Sequence, residues 1–301
     1  MASEQKTLQE AVVYFNDPDY CIMYLVARRW PNGVTCPTCG STKVSYLKSV
    51  RRWQCSSHQN KRQFTLKTGT IMEDSPLGID KWMVATWLVL NCKNGISSYE
   101  IARALGISQK SAWHLMHRVR FTIHGGSTEK PSGHVEVDET FIGGKARNMH
   151  VEKRARRITS TGGKDKTAVM GILERGGKVR TTVVPNRKKH ALQSEVKKHV
   201  EAGSALYSDA LQSYNGLAGE YAHQVIDHTE KYVDGVVHTN SLEFSGVCLN
   251  DRLVEPFHLF RYLDEQAYRF NNLKLTDGER FDTAVRGITG KRLTFNQLIG
   301  R

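Results

Sequence analysis

The sequence predicts an α+β protein built from several domains, and three patterns carry that expectation. Two closely spaced pairs, Cys36-Pro-Thr-Cys39 and Cys55-Ser-Ser-His58, fall among short strand-like pieces. Residues 79–123 have helical periodicity interrupted by a glycine, Gly106, between two apolar faces. Residues 134–227 then read as strand, hairpin, helix, strand and strand, followed by a further helix. A length of 301 residues with 39% hydrophobic content is enough for one to three packed domains.

Taken in order, residues 1–33 are expected to be helical. Leu8, Val12 and Phe15 recur at helical spacing, Tyr20 to Arg29 suits a second helix, and Pro31-Asn32-Gly33 is a turn. The cysteine segment spans 34–72 and the paired helices 79–123. Gly125-Gly126-Ser127 opens a linker that runs through Pro131 and Gly133. His134 to Ile142 is a buried-type strand, and a basic, glycine-containing loop covers about 145–166. Thr167–Leu173 and Val179–Val184 flank Gly176-Gly177 as a hairpin. An amphipathic helix is expected over Ala191–Glu201. Short strands follow at Ala205–Tyr207, ending at Ser208-Asp209, and at Ala222–Asp227, with a helix over Phe257–Phe270. Residues 273–301 read as a loosely attached tail.

The charge balance narrows the partners. Forty-three Lys and Arg stand against thirty Asp and Glu, a net +13 and a pI near 9.5. A chain that basic usually meets a polyanion, most often nucleic acid. No apolar run approaches the ~20 residues of a membrane span, and MASEQKTLQE lacks the apolar core of a signal peptide. A cytoplasmic location is therefore expected, with reduced cysteines that bind metal where they cluster.

The pairs Cys36/Cys39 and Cys55/His58 are each two-residue-spaced chelators separated by a loop of ribbon length. Together they can close a tetrahedral shell around one zinc, with sulfur at ~2.3 Å and nitrogen at ~2.0 Å. Four protein ligands leave no open position, so this zinc would be structural, and a zinc-dependent hydrolase is disfavoured. So small a ribbon would depend on its metal to fold. Cys21, Cys92 and Cys248 are single and read as small buried residues. Lys48, Arg51, Arg52, Trp53, Lys61 and Arg62 flank the ribbon as phosphate contacts or as a solvated basic face.

In Ile96–Val119, Ile101, Ala102 and Leu105 form one apolar face, Gly106 turns the chain, and Ser108 can cap a second helix. Ala112, Leu115, Met116 and Val119 then resume the face. This is a helix-turn-helix pattern or an ordinary αα-hairpin. In the first case Gln109, Lys110, Trp113, His114 and Arg118 would face DNA. In the basic loop, Lys145, Arg147, Lys153, Arg154, Arg156 and Arg157 either grip phosphates or are solvated.

Asp138 lies inside the apolar strand Val135-Glu136-Val137-Asp138-Glu139-Thr140, where a carboxylate is costly unless paired or coordinated. Asp209 ends a short strand, and Glu243 lies past His238-Thr239-Asn240. Phosphodiester cleavage with two metals needs several carboxylates around ions ~4 Å apart. Taken singly, Asp209 is equally a helix cap and Glu243 a surface residue.

The stretches WPNGVTCPTCGS, FTLKTGTIMEDSPL, VEVDETFIGGK, YSDALQSY, HTNSLE and VEPFHLFRYLDEQAYRFNN, in this order, resemble the zinc-ribbon transposases of bacterial insertion sequences, the ISXO-two-like group. They cover most of the chain from Trp30 to Asn272. The resemblance implies an RNase H-like catalytic domain over 131–272 with a DDE-type site. Asp138 would be the first magnesium or manganese ligand, Asp209 the second, and Glu243, 34 residues after Asp209, the third. Asn240 rivals Glu243, although a carboxylate suits a hard cation better. The implied partners are DNA, as terminal inverted repeats and target, with a possible homo-oligomer on paired ends and no membrane.

The chain departs from that family after Glu243. The family typically continues with something like FWSLLKR and a further stretch before VEPFHLF. Here FSGVCLND-RL intervenes, and Asn250 stands where the family has a Lys seven residues after the Glu. The nucleotides TTCTGGAGTCTGCTTAAACGAC encode FWSLLKR and, read one base later, SGVCLND, which is Ser245–Asp251. A frameshift after Glu243, restored near Arg252, is the expectation. Ser245-Gly246-Val247-Cys248 is a poor helix former without the aromatic payload, so catalysis is expected to be impaired while DNA binding survives.

Overall fold

The computed structural model describes residues 5–57, 62–124, 130–144, 149–158, 165–226, 238–239 and 256–300. The chain divides into two compact units, residues 1–124 with 272–301, and residues 125–271.

In the first unit, Thr7 and Glu10 form a capping box on α1 (Leu8–Phe15). Asp17 caps α2 (Pro18–Arg29), which opens on proline. Strands β1 (Val44–Leu47), β2 (Arg52–Cys55) and β3 (Gln63–Phe64) form an antiparallel ribbon, with Trp53 stacked on Phe64 and tilted against Trp30. Helix α3 (Ile79–Asn91) buries Trp82, Met83, Trp87 and Leu90. A capping box of Ser97 and Glu100 starts α4 (Ser98–Leu105), and Gly106 ends it at φ +60°, a left-handed conformation that glycine adopts readily. Ser108 caps α5 (Gln109–Ile123).

Residues 273–301 are not a loose tail. They form α9 (Asp277–Arg286) and α10 (Phe295–Leu298), and α9 packs on α3. Phe281 is fully buried against Trp87, Phe15 and Tyr24. With Ala284 and Val285 it makes an apolar stripe at helical spacing in an otherwise polar stretch. Asp282 pairs with Arg28 and accepts from Tyr24 Oη. Lys291 Nζ donates to the carbonyls of Phe121, Thr122 and His124, closing the end of α5.

The second unit is a five-stranded sheet. Its strands are β4 (His134–Ile142), β5 (Thr167–Glu174), β6 (Val179–Val184), β7 (Ala205–Asp209) and β8 (Ala222–Ile226). Their spatial order is β6-β5-β4-β7-β8. The first three run antiparallel as a meander, and β7 and β8 join parallel to β4. This is the order and direction of an RNase H-like sheet. Val135, Val137, Met170, Ile172 and Leu206 pack with Leu192 and Val196 of α7 (Lys189–His199) and with Tyr214. Elsewhere on the sheet Leu259 and Leu263 of α8 (Leu259–Asn271) meet Val169 and Ile142. The side-chain amide of Asn271 exchanges both hydrogen bonds with the Val179 backbone on edge strand β6. The expected basic loop contains α6 (Val151–Arg157). Among the described residues no helix is long and apolar enough to cross a membrane.

Candidate active site and metal centre

Parallel pairing aligns His134 with Ala205, Val135 with Leu206 and Glu136 with Tyr207. The paired register ends there, while β4 runs on to Ile142 beside β5 and β7 runs on to Asp209 beside β8. Carrying the same offset two residues further sets Asp138 against Asp209, just past the point where the two strands part. Both continue the side-chain alternation of Glu136 and Tyr207, so they share one face of the sheet. Strands at this spacing lie about 4.8 Å apart. Asp138 Oδ1 accepts from the Glu139 backbone N–H at 2.8 Å, and Asp209 Oδ1 from that of Leu211 at 3.2 Å.

Glu139, next in β4, alternates to the opposite face, where Tyr214 packs. Its side chain is 2% exposed, with Arg187 Nε 3.7 Å away and the Tyr214 hydroxyl donating to it. Burial, reinforced by Asp209 and then Asp138 and opposed by Arg187, pushes its pKa up to about 8. Asp138 and Asp209 offer the carboxylate oxygens that a hard divalent ion takes as ligands. Asn240 and Glu243 lie outside the described residues, as do Cys248 and the segment 244–253. His238 and Thr239, which begin the same motif, are described, and Thr239 is fully buried.

A second centre lies in the ribbon. The sulfurs of Cys36, Cys39 and Cys55 all lie within 4.8 Å of one another, and Cys39 Sγ is 3.7 Å from Cys55 Sγ. A tetrahedron with ~2.3 Å zinc–sulfur bonds has edges of ~3.8 Å, so three thiolates at this spacing fit zinc. The knuckle is held by Cys36 N–H to Ser41 O and Gly40 N–H to Cys36 O, both 2.9 Å. His58, the expected fourth ligand, lies outside the described residues.

The outward face expected of α5 is largely covered. Arg118 is a correction: it is 7% exposed and donates to the carbonyls of Leu293 at 2.9 Å, Ile71 at 3.1 Å and Glu73 at 3.0 Å. Its fork satisfies backbone acceptors where the C-terminal segment meets α5, so it does not project toward a partner. His114 packs edge-on against Phe295 and is half-buried. Trp113 meets His117, and Gln109 donates to Ser98 Oγ at 2.8 Å. Lys110 is exposed, its ammonium 4.9 Å from the Phe295 ring centre. Arg154, Arg156 and Arg157 on α6 are exposed. Lys145 and Arg147 lie outside the described residues.

Residues 130–271 match the ISXO2-like transposase domain, and residues 17–58 match the transposase zinc-ribbon domain. The chain thus carries an ISXO2-like transposase domain and a transposase zinc-ribbon domain. It is 27% identical over 246 residues to an uncharacterized protein in transposable element ISH50 of Halobacterium salinarum, covering 76% of this chain and 80% of that one. A pre-cleavage Mos1 transpososome structure aligns at 15% identity over 69% of this chain and 79% of that one, with a TM-score of 0.23. That score is too low to carry argument.

Asp138 and Asp209 were reached through the family resemblance; a carboxylate within an apolar strand by itself says only that burial there is costly. The same cost applies to Glu136, which is fully buried. Glu139, Arg187 and Tyr214 left no separate trace, because their proximity depends on how β4 packs against the segments after β6 and after β7.

Proposed function

We propose that this transposase cleaves transposon-end DNA and joins it to a target, with Asp138 and Asp209 holding magnesium or manganese ions and Glu243, or Asn240, completing the site. The observation that supports this most is the shared register of Asp138 and Asp209 on neighbouring parallel strands where those strands part. The chemistry such ions supply is activation of the attacking oxygen and stabilisation of charge on the leaving one. Asp138 and Asp209 offer oxygens from a rigid sheet, which limits reorganisation during reaction. Tyr214 and Arg187 hold Glu139, the residue after Asp138, in place. Water adds to phosphorus at the transposon end and a 3′ oxygen leaves as a hydroxyl. That hydroxyl then attacks a target phosphorus and displaces a target 3′ oxygen.

DNA would be gripped by the α4–α5 pair, through Lys110 with Gln109, Trp113 and His114 at its margin, and by Arg154, Arg156 and Arg157 on α6. Such contacts to phosphate make affinity fall steeply with salt. Zinc on Cys36, Cys39, Cys55 and His58 would hold the ribbon together. The same paired-end chemistry favours a homo-oligomer on two DNA ends, and a chain acting on chromosomal DNA belongs in the cytoplasm.

A second reading is favoured by Ser245–Asp251, whose residues match a shifted frame of the family's usual segment: a DNA-binding relative that has lost strand transfer. Labelled terminal repeats incubated with magnesium and either wild type or Asp138→Ala separate the two. Nicking by wild type that Asp138→Ala abolishes establishes the enzyme. Binding without nicking, regained when FWSLLKR replaces Ser245–Asp251, establishes the impaired relative. Nicking that persists in Asp138→Ala refutes the carboxylate assignment.

A further inference from the structure

The loop between β6 and α7, with the first turn of that helix, carries a run of positive charge that the proposed reaction does not use. Asn186, Arg187, Lys188, Lys189 and His190 are consecutive and all exposed. From Arg175 to Ser194 the chain holds no acidic residue. The first turn of a helix favours acids, because that end of the helix dipole is positive. In α7 this turn has none, and no side chain caps it. The far end of the same helix is built differently. There Lys197 pairs with Glu220, and Lys198 and His199 lie beside Glu195. Among the described residues, Lys188 and Lys189 have no carboxylate partner.

The sheet sets where this run lies. Strand β6 is antiparallel to β5, and β5 is antiparallel to β4, so β6 points the same way as β4. Val184, the last residue of β6, pairs with Ala168, which pairs with Phe141. Phe141 is three residues beyond Asp138 on β4, about 10 Å along the strand. The run therefore starts at the end of the sheet that carries the two aspartates. Arg187 holds it there. Its guanidinium lies over the Phe141 ring, 5.2 Å from the centre, and its Nε is 3.7 Å from Glu139 Oε2. Ser213 Oγ, in the segment after Asp209, donates to the Arg187 carbonyl at 2.6 Å. Asn186 Oδ1 accepts from the Lys188 N–H at 2.9 Å. The backbone under Lys188 and Lys189 is thus tied to both acid-bearing segments.

We infer that Lys188 and Lys189 form a docking surface for the phosphate backbone of the DNA on which the aspartate pair acts. Adjacent cations repel one another, and phosphates both relieve that repulsion and release counterions on binding. Two carboxylates at the end of a sheet repel the same strand, and cations about 10 Å away offset that repulsion. Phosphates of one strand follow at ~3.4 Å along the duplex axis, so the surface addresses those about three nucleotides from the one at the aspartates. The inference rests on the proposed carboxylate site and adds a surface that holds its substrate.

Full-length, zinc-loaded protein titrated at several salt concentrations with a labelled duplex of terminal repeat and flanking DNA reads the surface without turnover. Lys188→Gln/Lys189→Gln should weaken binding about tenfold at low salt and make the log–log salt slope shallower by about 1.8, at ~0.9 per phosphate lost. Lys178→Gln/Lys198→Gln removes the same charge from the opposite end of the sheet, at the β5–β6 turn and the last turn of α7, and should leave the slope unchanged. All four lysines are exposed; should the first variant not fold, Lys188→Gln alone carries half the change. p-Benzoylphenylalanine in place of Lys189, irradiated on the same duplex, should crosslink within about five nucleotides of the transposon end. An unchanged slope in Lys188→Gln/Lys189→Gln overturns the docking surface. An equal drop in the control overturns it too, since net charge alone would then account for both. Crosslinks confined to the duplex interior overturn its place beside the aspartates. Nicking that persists in Asp138→Ala sinks the carboxylate site, a separate failure that neither slope nor crosslink reads.

Discussion

Replacing Glu139 by glutamine should make the second unit more stable in the absence of divalent ions, and the size of that gain follows from the carboxylate cluster. Glu139 is buried against Tyr214 with Asp209 and Asp138 near it, and its pKa is pushed up to about 8 from an ordinary 4.5. A carboxyl whose folded value is raised contributes its full stability below the ordinary value. That contribution is lost as pH climbs to the folded value. Between pH 4.5 and 8 the ion-free wild type should therefore lose stability, by at most about 5 kcal/mol at ~1.4 kcal/mol per pH unit. Glutamine keeps an acceptor for the Tyr214 hydroxyl and carries no charge to repel the aspartates. The variant should be nearly flat over this range and exceed wild type at pH 8.5 by several kcal/mol. Added magnesium or manganese, bound through Asp138 and Asp209, should stabilise both proteins, wild type the more.

All five tryptophans, Trp30, Trp53, Trp82, Trp87 and Trp113, belong to the first unit, so their fluorescence is blind to this change. Urea unfolding with pulse proteolysis reads the right unit when β4 and β5 peptides are quantified, with ribbon zinc retained and magnesium removed. A wild type that is flat from pH 5 to 8, or a Glu139→Gln variant weaker than wild type at pH 8.5, refutes the argument.

Three further outcomes are expected. Phe281→Ala should destabilise the first unit by about 3–5 kcal/mol through the cavity it leaves beside Trp87, read by urea unfolding on tryptophan fluorescence; a change under about 1 kcal/mol would restore the loose-tail picture. Arg118→Met strips donors from three carbonyls and should cost about 3 kcal/mol. Its DNA affinity, measured well below the unfolding temperature, should stay within about twofold of wild type, and a large uniform loss would return Arg118 to the DNA interface. Cys55→Ser, or chelation of zinc, should unfold the ribbon, shift Trp53 emission to the red and expose Cys36 and Cys39 to a thiol reagent; an unchanged spectrum with protected thiols would mean the ribbon stands without metal.

What could be read from the sequence depended on whether the signal was local. The cysteine pairs announced a chelating ribbon because ligand spacing within a knuckle is a local constraint. The strands from His134 to Ile226 were legible because apolar alternation and Gly176-Gly177 are local too. The outward set on α5 was partly misread because periodicity separates an apolar face from a polar one without saying what covers the polar one. Phe295 and Leu293, nearly two hundred residues later, cover it, and a guanidinium can be buried where carbonyls converge on it. The C-terminal segment was undervalued because Phe281, Ala284 and Val285 are few in a polar stretch. Helix α6 was missed because the basic residues around it carry no cap signal, and no side-chain cap is formed at His150.

The carboxylate pair is a consequence of core packing. Val135, Val137 and Leu206 are fully buried on the face that meets α7, while Glu136, Asp138, Tyr207 and Asp209 alternate onto the other. Slipping β7 by one residue against β4 would turn Leu206 out of the core and swing Asp209 toward α7, so the apolar residues fix the register that aligns the acids. Asp138 and Asp209 are thus placed by packing spread over the whole sheet. Beginning two residues past Glu243, outside the described residues, the sequence departs from the pattern the family resemblance implies. A change at that point leaves the sheet, the ribbon and the two aspartates in place, so on the second reading proposed above strand transfer is lost while DNA binding is kept.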